Sequence, residues 1–204
     1  MNRLFLTMLI AICCGNALAA DCATYAGTRA ATANELSGVA GKALGAIKSN
    51  NGKGLFGMSD GHLLLLRRVV SGSSDDRIGN VRLPMRPRDL DSNLNIRIGS
   101  QTFPAIVDRD LFGTVNLGSA VMLQREVCDD PRTCGDSLPS SIDVPFMLND
   151  LLRCNPGNGG VFVFADGAFV LGMRIQGDHL PTGSALFFAK KGSSYRLAGL
   201  VVQE

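Results

Sequence analysis

The sequence predicts an α+β fold. In it a long N-terminal helix packs on a curved, mainly antiparallel sheet, and a second short helix precedes the C-terminal hairpins. Three observations carry this expectation. One helical apolar repeat runs over residues 28–49, short apolar runs separated by turn residues fill the middle of the chain, and two hairpin signatures occupy the last third. The 24 glycines lie between apolar runs rather than in one tract, which suits a sheet with many turns.

The chain opens with a leader. Arg3 precedes an apolar run from Leu4 to Cys14, and Ala17-Leu18-Ala19 supplies a small-x-small cleavage site. A charged start, a short apolar core and such a site describe a secretory signal peptide. The run is too short for a bilayer-spanning helix, so no transmembrane span is expected in the mature chain. Residues 1–19 are therefore read as the signal, and 20–204 as one disulfide-stabilised domain, soluble in the periplasm or outside the cell. Lipid attachment at Cys13 or Cys14 is the rival reading, opposed by Ile12, because lipidation favours a small residue before the cysteine.

Each element then follows in order. Ala31, Leu36, Val39, Ala40, Ala43, Leu44 and Ile47 recur near helical spacing, and Thr32 with Glu35 fits a capping box. Gly38, Gly41 and Gly45 either weaken this helix or let it approach a sheet closely. Lys53–Ser59 reads as a short helix or turn. His62–Val70 fits helix or strand, with Val69-Val70 and the polar loop after it favouring strand. Strands are expected at Ile78–Leu83, Leu94–Ile98, Thr102–Val107 and Ala120–Val127. The alternation of Leu94, Ile96 and Ile98 with Asn95 and Arg97 marks a half-buried strand. Asp143–Arg153 reads as a helix with Pro145 in its first turn. Val161–Ala165 and Ala168–Leu171 flank Asp166-Gly167, a hairpin signal. Ser184–Ala189 and Tyr195–Val202 flank a second turn, and Leu197–Val202 is expected to be an inner strand.

Loss of Cys13 and Cys14 with the leader leaves Cys22, Cys128, Cys134 and Cys154. An even set in an exported chain reads as disulfides. Three pairings are possible. Cys128–Cys134 is favoured because Asp129, Asp130 and Pro131 form a turn between them, leaving Cys22–Cys154. Zinc is disfavoured, because no C-x-x-C pair occurs and His62 and His179 are the only histidines.

Composition narrows the function. At 46% hydrophobic and 19% charged the chain is globular, and its formal charge of +2 gives no global attraction to nucleic acid or anionic lipid. Tryptophan is absent and only Tyr25 and Tyr195 are tyrosines, which weighs against sugar and base stacking. Gly57-Met58-Ser59-Asp60-Gly61 matches the G-x-S-x-G nucleophile elbow, and Asp166 or Asp178 with His179 would complete a triad order. The polar, glycine-rich residues before the motif are not the buried strand that an elbow requires. A metal site from both histidines with Asp60 or Asp178 would need a coincidence of folding. The carboxylate pairs Asp75/Asp76, Asp89/Asp91, Asp108/Asp110 and Asp129/Asp130 lack a calcium-loop pattern and read as solvated turns. Glu126, after an apolar strand, is a carboxylate to check for burial. Arg82, Arg86, Arg88 and Arg97 form the densest basic stretch, interleaved with Pro84 and Pro87. Together with Arg132 in the cysteine loop they are candidates to face an acidic partner, or else to pair with Asp89 and Asp91.

Two segments carry a resemblance. Ala46–Gly61, following the helix, and the closing Ala185–Val201, with its Lys190-Lys191-Gly192 turn, are similar to exported α+β proteins of the nuclear-transport-factor-two-like and cystatin-like type. That resemblance implies a long helix packed in the curve of an antiparallel sheet. Tyr195 stands where the closing strand usually has tryptophan, and residues 71–154 have no counterpart. Such folds serve enzymes, binding modules and accessory proteins alike. The expected function is a non-catalytic exported binding or accessory protein, either of the immunity type that neutralises a secreted toxin or a carrier of a small apolar ligand. No cofactor is expected. The alternatives are an envelope hydrolase using Ser59 with His179, and a structural component that self-associates through a strand edge.

Overall fold

A computed structural model describes residues 27–69, 81–124, 148, 151–153, 159–175 and 181–204. The signal peptide, all six cysteines, Arg132, Asp178, His179 and Glu126 lie outside these residues. The fold mixes helices with a large, mainly antiparallel sheet. Eight strands are β1 (Thr28–Ala31), β2 (Leu63–Arg68), β3 (Val81–Met85), β6 (Ser119–Met122), β7 (Gly160–Val163), β8 (Gly167–Arg174), β9 (Thr182–Lys191) and β10 (Ser194–Gln203). Their spatial order is β1-β6-β7-β8-β9-β10-β2-β3. Only the β6–β7 and β2–β10 pairs are parallel. A separate hairpin joins β4 (Asn95–Ile98) and β5 (Gln101–Pro104).

The inner strands are buried on both faces, so their sequences are nearly continuous apolar runs. One face carries Leu65, Val170, Leu186, Phe188, Leu200 and Val202. Helix α1 (Asn34–Lys48), helix α2 (Gly52–Phe56), the β4–β5 hairpin and the 3-10 turn Arg109–Thr114 cover that face through Leu36, Ala40, Leu55, Ile96, Phe103 and Phe112. The other face carries Leu64, Phe162, Phe169, Leu171, Phe187 and Val201, and packs on Leu148, Leu151 and Leu152. The last three belong to helical residues within the helix expected at 143–153. No helix among the described residues is long and apolar enough to cross a membrane.

Two expectations about the first helix are corrected. It begins at Asn34, and Thr28–Ala31 is an edge strand paired with β6. The capping box does not form. Ala33 is the N-cap and has no side-chain cap, while the Thr32 hydroxyl is buried without a hydrogen-bond partner among the described residues. The Thr32 N–H donates to Gly118 O at 3.3 Å, and Ser37 Oγ donates to Leu117 O at 3.1 Å. The start of the helix is thus held by the neighbouring loop.

Gly38 and Gly45 are not tightly enclosed, and an added Cβ at either would meet nothing within 4 Å. Close packing on the sheet is therefore not their role. Gly38→Ala and Gly45→Ala should each raise stability by about 0.5–1 kcal/mol, by restricting the unfolded chain. Urea denaturation checks this, and a loss of stability would show that the face is covered in the folded protein.

The closing hairpin forms as expected, around a two-residue turn with Gly192 at φ +60°. A positive φ at the first central position is what such a tight turn asks of glycine. Strand β10 lies between β9 and β2, as expected for an inner strand. The preceding hairpin turns one residue earlier than expected. Phe164 N–H donates to Gly167 O at 2.8 Å, so Ala165 and Asp166 form the turn and Gly167 starts β8.

Candidate interaction surface

The residues of the expected hydrolase are engaged elsewhere or lie outside the described part. Ser59 is half-buried, and its Oγ donates to Phe56 O at 2.7 Å. The Gly57–Gly61 motif leaves helix α2 and enters strand β2, the reverse of a strand-to-helix elbow. His179 lies outside the described residues, and Arg174 and Thr182 pair at one end of β8–β9. Ser59 belongs to the opposite end, where Lys191 Nζ reaches Asp60 Oδ2 at 3.3 Å and Arg196 Nε lies 3.7 Å from Asp60 Oδ1. These are surface pairs. His62 is exposed, and among the described residues no group of three His, Cys, Asp or Glu could hold a metal ion.

Of the candidate arginines, Arg82, Arg86 and Arg88 lie on or just after the edge strand β3, Arg97 lies on the separate β4–β5 hairpin, and Arg132 is outside the described residues. Arg82 lies on edge strand β3, opposite Leu66. Pro84 in the same strand lacks an N–H, which suits an edge and hinders the addition of another strand. Arg86 and Arg88 follow, flanking Pro87 in the 3-10 turn Pro87–Asp89. The Leu90–Ile96 bridge brings this turn to β4, where Arg97 stands. Arg86, Arg88 and Arg97 are all exposed.

The neighbouring carboxylates are occupied by backbone. Asp89 Oδ2 accepts from Arg86 N–H at 2.8 Å, closing the 3-10 turn. Asp91 Oδ1 accepts from the N–H groups of Asn93 and Asn95, each at 2.8 Å, and Oδ2 accepts from the Asn95 amide at 3.3 Å. The Asn95 N–H above all holds the Asp91 carboxyl below its ordinary value, against a desolvation that raises it. The Asn93 N–H, the Asn95 amide and the Arg97 charge add to the lowering. The two aspartates thus act chiefly as turn formers. Only the long Arg88 Nε–Asp89 Oδ1 approach of 4.0 Å joins a carboxylate to this arginine group among the described residues, and the Arg88 side chain remains 74% exposed. The two aspartates thus hold the turns and keep their charges beside the arginines, Asp89 at 4.0 Å from Arg88 and Asp91 within electrostatic reach of Arg97.

The turn is firmly seated. Leu90, Leu94 and Ile96 are buried beneath it, with Leu94 in the left-handed region at φ +60°. Arg109, which the sequence did not mark, ties the loops together: it donates through Nη1 to Asn50 Oδ1 and through Nη2 to Asn93 O at 2.7 Å. A fixed base carrying three exposed guanidiniums can engage carboxylates bidentately without first ordering its own backbone.

A cavity of about 140 Å³ lies at the other edge of the sheet, among β1, β6, β7 and residues 114–116. This is below the roughly 300–1,000 Å³ of pockets that enclose drug-sized ligands. Arg29, on β1, lines it. The sequence did not mark Arg29, because a lone arginine at the start of an apparent helix carries no pattern. No family model, curated protein or solved structure matches the chain.

Proposed function

We propose that this chain is an exported, non-catalytic binding or accessory protein that recognises an acidic protein partner through Arg86, Arg88 and Arg97. Export rests on the leader sequence, and an immunity-type role toward a secreted toxin is one form the partnership would take. The observation that carries the reading is the exposure of three guanidiniums around one turn held by Asp89 and Asp91, with no ion pair of the group shorter than 4.0 Å among the described residues. Charged side chains on a rigid rim steer association and set partner choice.

The test is the double variant Arg86→Glu/Arg88→Glu. Both side chains are exposed, so folding stability should stay within about 0.5 kcal/mol of the parent. Native mass spectrometry of mature protein gently isolated from its own envelope should show a partner on the parent and at least about tenfold less on the variant. Binding by the parent should also weaken as salt rises. A partner retained equally by the variant would end this reading.

A further inference from the structure

We propose that the cavity beside Arg29 is a binding site for the carboxylate of a small acid with a short apolar body. Strand β1 pairs antiparallel with β6, with Arg29 opposite Val121. All four β1 residues are exposed, and among the described residues the Arg29 guanidinium makes no hydrogen bond or ion pair. It lines a cavity whose other walls differ in character. Val121 and Phe162, themselves almost wholly buried, and Val115 give a small apolar base within a mostly polar lining. Asn116 Oδ1 accepts from Gly118 N–H at 2.9 Å, which fixes the amide and leaves its NH₂ as a donor. The Ser119 hydroxyl has no partner among the described residues, and no lining residue carries a carboxylate.

The site therefore offers one planar cation, two neutral donors and an apolar base. A guanidinium matches a carboxylate through two parallel N–H···O bonds. One cation with an apolar base fits a monoanion with a hydrocarbon body better than phosphate, whose sites gather several cations or backbone N–H groups. The volume of about 140 Å³ has room for a branched four- or five-carbon acid with its carboxylate toward Arg29. Its source would be either a free acid or the C-terminal carboxylate of a peptide ending in a small apolar residue. This site is at the β1 edge, opposite the β3 edge that leads to Arg86 and Arg88, and it shares no residue with the arginine group, so its success or failure leaves the partner-binding reading untouched.

The test is a titration of the intact, disulfide-bonded protein with isovalerate, following backbone amide resonances by NMR. Isovaleramide and inorganic phosphate serve as comparisons. Isovalerate should move the amides of residues 115–121 in a saturable way, and isovaleramide and phosphate should each bind at least about tenfold more weakly. Arg29→Gln should weaken isovalerate by about tenfold and Arg29→Lys by less, with unchanged far-ultraviolet circular dichroism, since Arg29 is exposed. Competition by a tripeptide ending in free valine, but not by its amidated form, would support the site and identify a peptide terminus as the source. Isovalerate binding without that competition would support it with a free acid as the source. Equal binding of isovaleramide, stronger binding of phosphate, an Arg29→Gln variant that binds like the parent, or no movement of these amides would each overturn the proposal.

Discussion

Phe187→Ala is expected to cost about 3–5 kcal/mol, a large share of the stability of a domain this size. Phe187 is fully buried on β9, which has β8 on one side and β10 on the other. Its ring lies 5.0 Å from that of Phe169, which meets Phe164 edge-on at 5.8 Å. Such aromatic pairs add about 0.5–1.5 kcal/mol beyond area burial. The hole cannot close readily. Gly167 already brings its backbone against the Phe187 ring, and an added Cβ there would lie 2.9 Å from it. Facing strands held by hydrogen bonds resist collapse, so the cavity term is felt nearly in full. Phe187→Leu refills most of the volume and should cost roughly 1–1.5 kcal/mol. Urea midpoints at constant slope separate the two variants. A loss below about 1 kcal/mol for the alanine variant would show that this layer rearranges around the vacancy.

The same strands show how much of the fold is legible in the sequence. Ala185–Ala189 and Ala168–Leu171 are apolar without alternation, and both are buried on both faces. An apolar run announces burial, but it does not say which residues face which layer. The second layer, on Leu148, Leu151 and Leu152, is therefore not foreseeable from the runs, although its helix is. Strand β10 adds a further obstacle. Tyr195 and Leu197 share a face with Leu200 and Val202 only because the register shifts between Leu197 and Gly199. A strict period of two would put Leu200 on the wrong side, and the one sign of the bulge is Gly199 inside the apolar run. Asp166-Gly167 misplaces a turn by one residue for a related reason. Gly167 is needed for space beside Phe187 and Phe188, not for a left-handed backbone. Thr28–Ala31 reads as part of the helix because four residues hold too little periodicity to separate strand from helix.

The candidate surface is half legible. The density of Arg86, Arg88 and Arg97 is visible, and so are Asp89 and Asp91 among them. Which donors those carboxylates accept from, guanidiniums or backbone N–H groups, depends on local geometry that composition does not encode. Ser59 and its motif show the converse. The five letters are present, but the order of elements around them is helix to strand.

The second large effect is expected at Arg67, a cation buried to 7% exposure at the end of the parallel β2–β10 pair. Its Nη2 donates to Glu204, and its guanidinium carbon lies 5.0 Å from the centre of the Phe103 ring. Glu204 N–H donates to Arg68 O at 3.0 Å, so the backbone holds the carboxylate in place. Removing one partner of a buried pair typically costs about 3–5 kcal/mol, because the other charge stays desolvated. The Glu204 side chain is 27% exposed, and water there reduces the expected loss for Glu204→Ala to roughly 2–3 kcal/mol. The double variant Arg67→Met/Glu204→Ala removes both charges of the pair and keeps an unbranched apolar stem against Phe103. It should lose less than the sum of the two single losses by about 1 kcal/mol or more, because the coupling of the bonded pair is counted in each single variant. The cycle is closed by Arg67→Met alone, with all four proteins compared in urea at low and at high salt. Because the pair is largely shielded from solvent, its coupling should change little with salt, unlike a surface pair. A double variant no better than the sum of its parts would mean that Arg67 is held by packing on Phe103 and its strand neighbours, with Glu204 contributing little.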